Sequence, residues 1–325
     1  MFKKSLFAVT AVLACSTALA AAPTKPECIA PAKPGGGFDL TCKLGQTSLQ
    51  NGKFIDAPMR ITYMPGGIGA VAYNTVIAQR PEEGGTIVAF SGGSLLNLAI
   101  GKFGRYTVDD VKWLAAVGTD YGAVIVREDS PFKSLKDLID ALKKDPTKVV
   151  MAAGGSVGSQ DWMKSALVAK EAGVSHKSMR YVAFEGGGEA LTAVLGGHVQ
   201  AYFGDASEVG EYLKSNKIRV LAVLAAERLS GALSSLPTAK EQGYDVQWPI
   251  IRGYYMGPKV SDADYKWWVD TFDKLIATPE FAKQREAQGL FPFDMTGAKL
   301  DSYVKEQVKK YAEFGKEFEL IAPAQ

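Results

Sequence analysis

The sequence predicts an α/β protein of two lobes, each a sheet of mainly parallel strands flanked by helices, with two crossover strands joining them. Three observations predict it. From residue 28 onward, short β-type runs alternate with helically spaced apolar segments, the rhythm of parallel sheets covered by helices on both faces. Two long apolar runs, 113–126 and 248–257, break that rhythm without helical spacing and bracket a four-strand block. The chain has 325 residues, and a single core stops growing at about 250–300, so two domains are expected.

The elements follow in order. Lys3 and Lys4 precede an apolar run, 6–13, and a small-residue stretch ending Ala18-Leu19-Ala20, the pattern of a secretory signal peptide over residues 1–20. The run is shorter than the ~18 apolar residues of a membrane span. Val12-Leu13-Ala14-Cys15 loosely matches a lipoprotein attachment site, but Leu13 is bulky where that motif takes a small residue. Strands are expected at 28–30, 59–63, 86–90, 149–153, 181–184, 199–203 and 218–224. A helix carrying Leu135, Leu138, Ile139 and Leu142 is opened by a capping box at Ser134 and Asp137. Beyond the second crossover run come two long amphipathic helices. One is opened by Ser261 and Asp264 and buries Trp268, Phe272 and Leu275; the other buries Val304, Val308 and Tyr311. Lobe one is expected to comprise 24–123 plus 253–325, and lobe two 124–252.

Composition excludes several functions. Apolar residues make up 47% and charged residues 22%, the proportions of ordinary soluble proteins. Without residues 1–20, 35 basic side chains face 35 acidic ones, and a nucleic-acid partner needs clustered positive charge. No later segment is long and apolar enough to cross a bilayer, so a soluble, exported protein is expected. Cys28 and Cys42 are the cysteines left after processing, and an oxidising compartment favours pairing them. The bridge would close a loop of 15 residues, worth about 3 kcal/mol in the chain-entropy account. Two buried thiols are the other reading.

Glycine is the compositional oddity, with 34 residues. Fourteen of them fall in five turns that follow strands and precede helices: Pro34-Gly35-Gly36-Gly37-Phe38-Asp39, Pro65-Gly66-Gly67-Ile68-Gly69, Ser91-Gly92-Gly93-Ser94, Gly154-Gly155-Ser156-Val157-Gly158-Ser159 and Glu185-Gly186-Gly187-Gly188. In open parallel sheets ligands bind beyond the carboxyl ends of the strands, where these turns must lie. Glycines let backbone N–H groups face the cleft, and each following helix presents a partial positive charge. A two-sided anion cleft results, three turns on one lobe and two on the other. The sequence lacks G-x-x-x-x-G-K-[ST], and Leu40 spoils a dinucleotide fingerprint in the first turn, which disfavours phosphate and nucleotide ligands. Carboxylates suit the hydroxyls of Ser91, Ser94, Ser156 and Ser159 and the amide of Gln160. Lys33 could neutralise one carboxylate, and Asp205 could accept a ligand hydroxyl or orient water.

Gly154-Gly155-Ser156-Val157-Gly158 also satisfies the nucleophile-elbow pattern of hydrolases. A hydrolase needs a histidine late in its fold, whereas His176 and His198 both fall soon after Ser156. No catalytic residue is therefore assigned. The histidines have no metal-ligand spacing, so no metal and no cofactor are expected. Glu185 with Glu189 and Asp205 with Glu208 read better as helix-start charges than as catalytic pairs.

Four strings carry a family resemblance: Cys28-Ile29-Ala30-Pro31-Ala32-Lys33-Pro34-Gly35-Gly36-Gly37-Phe38-Asp39-Leu40-Thr41-Cys42, Tyr63-Met64-Pro65-Gly66-Gly67, Gly155-Ser156-Val157-Gly158-Ser159-Gln160-Asp161-Trp162-Met163 and Tyr181-Val182-Ala183-Phe184-Glu185-Gly186-Gly187-Gly188-Glu189. From about residue 27 to 320 the chain resembles the tricarboxylate-binding receptors of the tripartite tricarboxylate transporters. The resemblance implies a periplasmic receptor with the two-lobed type II binding-protein fold, delivering a carboxylate to one large and one small membrane subunit. It implies that the ligand is held by the first-lobe loop, Lys33, Gly35, Gly36, Gly37, Phe38 and Asp39, and by its counterpart, Gly155, Ser156, Val157, Gly158, Ser159 and Gln160, partly through water. Ser91, Asp205 and Arg252 are further carry-overs. The wider relatives vary Lys33 and Phe38 and lack the paired cysteines, so the pattern resembles the citrate-type subgroup. A dicarboxylate or aromatic-acid receptor, a sensory module feeding a sensor kinase, and an exported serine hydrolase are the competing readings. A monomer is expected.

Overall fold

The computed structural model describes residues 22–321, so the expected signal peptide at 1–20, with Cys15, lies outside the described residues. The first half alternates β1 (Glu27–Ala30), α1 (Gly37–Asn51), β2 (Arg60–Tyr63), α2 (Ala70–Gln79), β3 (Thr86–Ser91) and α3 (Gly92–Ala99). β1 lies between β2 and β3, parallel to both, and is buried along its length. That burial explains its unbroken apolar run, because helices cover both faces of such a strand. A disulfide joins Cys28 on β1 to Cys42 on α1, with Cα atoms 5.7 Å apart, and so ties together the strand and helix on either side of the first glycine turn.

The sixteen-residue strand β4 (Lys112–Arg127) links the halves. Up to Tyr121 it pairs antiparallel with β9 (Pro249–Met256); from Gly122 onward it pairs with β7 (Ala201–Asp205) and β8 (Ile218–Leu224). Between these come α4 (Leu135–Lys144), β5 (Val150–Gly154), α5 (Gln160–Glu171), β6 (Arg180–Phe184), α6 (Gly187–Leu195) and the short α7 (Gly210–Lys214). β5 runs parallel to both β6 and β7, repeating the arrangement around β1. The strand order is β2-β1-β3-β9-β4-β7-β5-β6. Because β4 and β9 run antiparallel to their neighbours, the parallel blocks sit at opposite ends of one hydrogen-bonded path.

After β9 the sequence predicts two helices, and the structure has more. α8 (Asp262–Ile276) buries Trp268, Phe272 and Leu275, and α10 (Gly297–Glu317) buries Val304. Between them lie α9 (Pro279–Ala287) and an antiparallel strand, β10 (Phe291–Thr296), added to β4. β10 escapes the pattern because it is short, half-exposed and begins Phe-Pro, so its partner β4 rather than its own periodicity makes it a strand. The capping box at Ser134 and Asp137 forms as expected.

Two core clusters divide along β4. Leu114, Ala115 and Val117 pack with Tyr254, Trp268 and Phe272, whereas Val124 and Val126 pack with Leu138, Trp162 and Phe203. α10 crosses back to the second half, where Phe318 packs on Trp162 and His176 and Lys170 and Lys177 pair with Glu317 and Glu319.

Candidate functional site

All five glycine turns meet at one place. A narrow cavity of about 40 Å³ is lined by Gly36, Gly37 and Phe38 from the first turn, Ile68 from the second and Ser91 and Gly93 from the third. Gly154 comes from the fourth, Gln160 and Asp161 from the first turn of α5 just after it, and Gly186 and Gly187 from the fifth. Beside it a cleft of about 280 Å³ separates Gly67, Ile68, Asn97 and Lys102 from Gly155, Ser156, Ser159, Phe184, Glu185 and Glu189. The N-termini of α1, α3, α5 and α6 therefore face this region, which their dipoles bias toward negative ligands. A larger groove, about 630 Å³, lies between α9–β10 and the 206–214 and 230–233 segments and takes only Gly35 from the five turns.

The turns touch across the cleft, and glycine is what permits it. A Cβ on Gly36 would lie 3.2 Å from the Gly187 nitrogen, and one on Gly188 would lie 2.6 Å from the Pro34 carbonyl oxygen. Gly155 combines a φ of +107° with Ile68 pressed against it: a Cβ there would stand 2.6 Å from Ile68 Cγ1. Ile68 itself has a φ of +46°, a costly conformation for a β-branched residue and one that clusters at ligand clamps.

The candidate residues fall into separate groups. Gly36, Gly37, Phe38, Ser91, Gln160 and Asp205 line the small cavity; Gly155, Ser156 and Ser159 line the wider cleft. Ser91 and Ser159 cap α3 and α5, accepting from the Gly93 and Trp162 N–H groups. Val157 is exposed, and Gly158 packs near Ile100 and Leu320. Asp39 braces the first turn from behind, accepting from the Gly35 N–H, Lys43 and the Tyr63 hydroxyl. Lys33 pairs with Glu189 of the opposite block at 2.6 Å, with its side chain about half exposed (48%). Ser156 accepts from Lys102 Nζ at 2.9 Å. His176, by contrast, is edge-on to Trp162 and Phe318.

Behind the small cavity lies a buried charge network. Arg252 donates from Nη2 to Asp120 at 2.8 Å and to Asp205 at 2.5 Å. Lys164 Nζ reaches Asp205 at 2.6 Å and Asp161 at 2.9 Å. Burial pushes the Asp205 carboxyl up, but Lys164 and Arg252 outweigh it and hold it below the ordinary range. Glu208 accepts from the Gly37 N–H at 3.0 Å, across the cleft, and from the Tyr202 hydroxyl at 2.7 Å. Burial first, then the charges of Asp205 and Asp161, pushes Glu208 up to about 8. Four acids thus surround two cations. Within this wall, Arg252 Nε and Gln160 Oε1 are buried and have no hydrogen-bond partner among the described residues.

The raised Glu208 carboxyl makes a signed prediction. An acid whose folded pKa exceeds its unfolded value stabilises the fold fully below the unfolded value, and that contribution is lost as pH rises through the folded one. Part of the fall in stability from about pH 4.5 to about pH 8 should therefore belong to Glu208, and Glu208→Gln should flatten it. Urea titrations at pH 5 and pH 8 check this; a wild-type slope unchanged in the variant would refute it.

Asp120, Asp161, Lys164, Glu208 and Lys102 are site residues that the turn motifs miss, whereas Ile68 falls within the second turn. Asp120 lies on β4, Asp161 and Lys164 within α5 and Lys102 just after α3, at positions no glycine motif marks, and Glu208 follows β7. The one available signal was Asp205-Ala206-Ser207-Glu208, read as a helix-start charge pair; those carboxylates do form a capping box, and they also line the cavity.

Comparison with known proteins bears on the family and the fold. The family model described as the tripartite tricarboxylate transporter family receptor, TctC, matches residues 47–320. Protein BugT of Bordetella pertussis is 23% identical over 312 residues, covering 94% of this chain and 93% of its own. The structure of MatC from Rhodopseudomonas palustris, solved with bound malate, superposes with a TM-score of 0.76 at 18% identity, covering 89% of this chain and 98% of its own. An R. palustris protein solved with adipate gives 0.79 at 17%, covering 90% and 97%.

Proposed function

Because the chain belongs to the TctC family of tripartite tricarboxylate transporter receptors, periplasmic binding proteins that hand small carboxylates to membrane transporter subunits, we propose that it captures a polycarboxylate, citrate foremost, between two lobes. The receptors of this family are not enzymes. The observation that carries the reading is the convergence of five glycine turns and four helix N-termini on one cleft, an anion site built from backbone rather than from surplus positive charge. In this reading the loops at 33–39 and 155–160 take the carboxylates, with Ser91 and Asp205 beside them, and the large and small membrane subunits receive the ligand.

Ligand entry requires the lobes to part. A cavity of about 40 Å³ has room for only a few waters. The partner exchange of β4 between Tyr121 and Gly122, with the return of the chain at Trp248, which bonds to Leu224 and Gly122, supports a hinge there between lobes at 24–123 plus 253–325 and 124–252.

A dicarboxylate is the second reading, favoured by the malate- and adipate-bearing structures of similar fold. Titration calorimetry of refolded, ligand-free protein with citrate, tricarballylate, malate, adipate, terephthalate and glutamate decides between them. Binding near micromolar, about −8 kcal/mol, is expected for at least one acid. Heat from none of them would overturn the proposal, and a clear preference for malate or adipate over citrate would establish the second reading.

A further inference from the structure

We infer that Lys102 binds a second carboxylate of the ligand, so that the cleft selects dianions and trianions over monoanions. This rests on the receptor reading above and names the charge class of that same site.

Lys102 stands just after α3 and reaches across the cleft. Its Nζ donates to Ser156 Oγ at 2.9 Å and to the Val157 carbonyl oxygen, both in the fourth turn, on the opposite side. Both acceptors are uncharged. The other cations around the cleft are spent: Lys33 on Glu189, Arg252 on Asp120 and Asp205, Lys164 on Asp161 and Asp205. Glu185 and Glu189 line the same cleft, yet Glu189 is held by Lys33 and the Glu185 N–H. Neither forms an ion pair with Lys102 among the described residues.

The ammonium is therefore half-buried without a counter-charge. Burial alone lowers its pKa to about 8, and no acid opposes the shift. A charge in that position gains more from an incoming carboxylate than one already paired, because desolvation has been incurred without Coulombic return.

The two cavities also differ in what they can accept. Around Arg252 a third negative partner would face Asp120, Asp161, Asp205 and Glu208 at close quarters. The 280 Å³ cleft offers Lys102, the Ser156 hydroxyl and the backbone of the Gly67 and Gly155 turns. Asn97, on its wall, keeps a buried Oδ1 with no partner among the described residues, an acceptor that suits a ligand hydroxyl and not a carboxylate. A ligand with one carboxylate against the turns would place a second beside Lys102.

The test removes the charge from each side in turn. Wild type, Lys102→Met and Lys102→Gln are titrated with malate and its monoamide malamate, and with adipate and its monoamide adipamate. Wild type is expected to prefer the diacid of a pair by roughly 10- to 100-fold, and both variants to lose that preference while amide affinity changes by less than about threefold. Lys102→Arg should keep it. Unchanged diacid binding, or equal losses for diacid and amide, would overturn the assignment and leave Lys102 as a contact between the lobes. Wild type binding none of the four compounds would overturn the inference, and the wider acid panel then tells whether the receptor reading falls with it. Thermal melts alongside establish that the variants are folded.

Discussion

Arg252→Met is expected to remove about 3–5 kcal/mol of stability, the cost of breaking a buried ion pair from one side. Arg252 is 2% exposed, Asp120 is fully buried and Asp205 is 5% exposed. Methionine keeps most of the side-chain volume and deletes the charge, so both carboxylates would lose the partner they share. Ser207 still donates to Asp120, and Lys164 still pairs with Asp205, but Asp120 has no other cation among the described residues. Lys170→Met offers the contrast. Its pair with Glu317 is exposed, and such pairs contribute about 0–1 kcal/mol. Urea unfolding of the two variants should separate them clearly, and a loss below 1 kcal/mol in Arg252→Met would show that the network relaxes or takes in water. Because Arg252 on β9 ties Asp120 on β4 to Asp205 at the end of β7, behind the small cavity, the variant should also bind carboxylates more weakly.

Gly37→Ala is the second large effect. Gly37 is the first residue of α1, where alanine is conformationally acceptable, so any penalty comes from space. A Cβ there would lie 2.2 Å from Arg252 Nη1 and 2.3 Å from Nη2. The guanidinium cannot swing aside cheaply, because Asp120 and Asp205 hold it. Overpacking of this kind costs about 1–3 kcal/mol. The same displacement strains the Gly37 N–H bond to Glu208 across the cleft, so ligand affinity should fall by roughly 5- to 150-fold if the bound form bears that cost. Gly210→Ala is the control, since a Cβ there meets nothing within 4 Å. Wild-type affinity and stability in Gly37→Ala would mean that Arg252 is not locked against the first turn.

The contrast between these two positions also shows how far the sequence was legible. Gly37 announced itself: it belongs to a run of three glycines between a strand and a helix, and the close approach that it permits is the reason for such a run. Arg252 lies in an apolar crossover strand and drew notice only through the family resemblance. Its partners are 132 and 47 residues away, and no spacing rule links them. Lys33 and Lys102 reverse the same lesson. Lys33 neighbours a glycine motif, which marks it as a candidate cation for the ligand, and the structure adds its pair with Glu189 across the cleft. Lys102 neighbours nothing distinctive, yet it lines the cleft without an ion-pair partner among the described residues.

The sequence by itself determined the α/β class, the order of the strands and helices through β9 and the five glycine turns. These follow from local causes: apolar periodicity, capping residues and glycine at strand ends act over a few residues and can be read there. Only the tertiary structure decided which turns touch, which carboxylates surround Arg252 and Lys164, that β10 joins β4, and that Lys102, at the cleft, has no acid paired with it among the described residues. Those outcomes depend on charges and surfaces brought together from distant parts of the chain, and the energy of a buried charge is set by neighbours that the sequence order does not record.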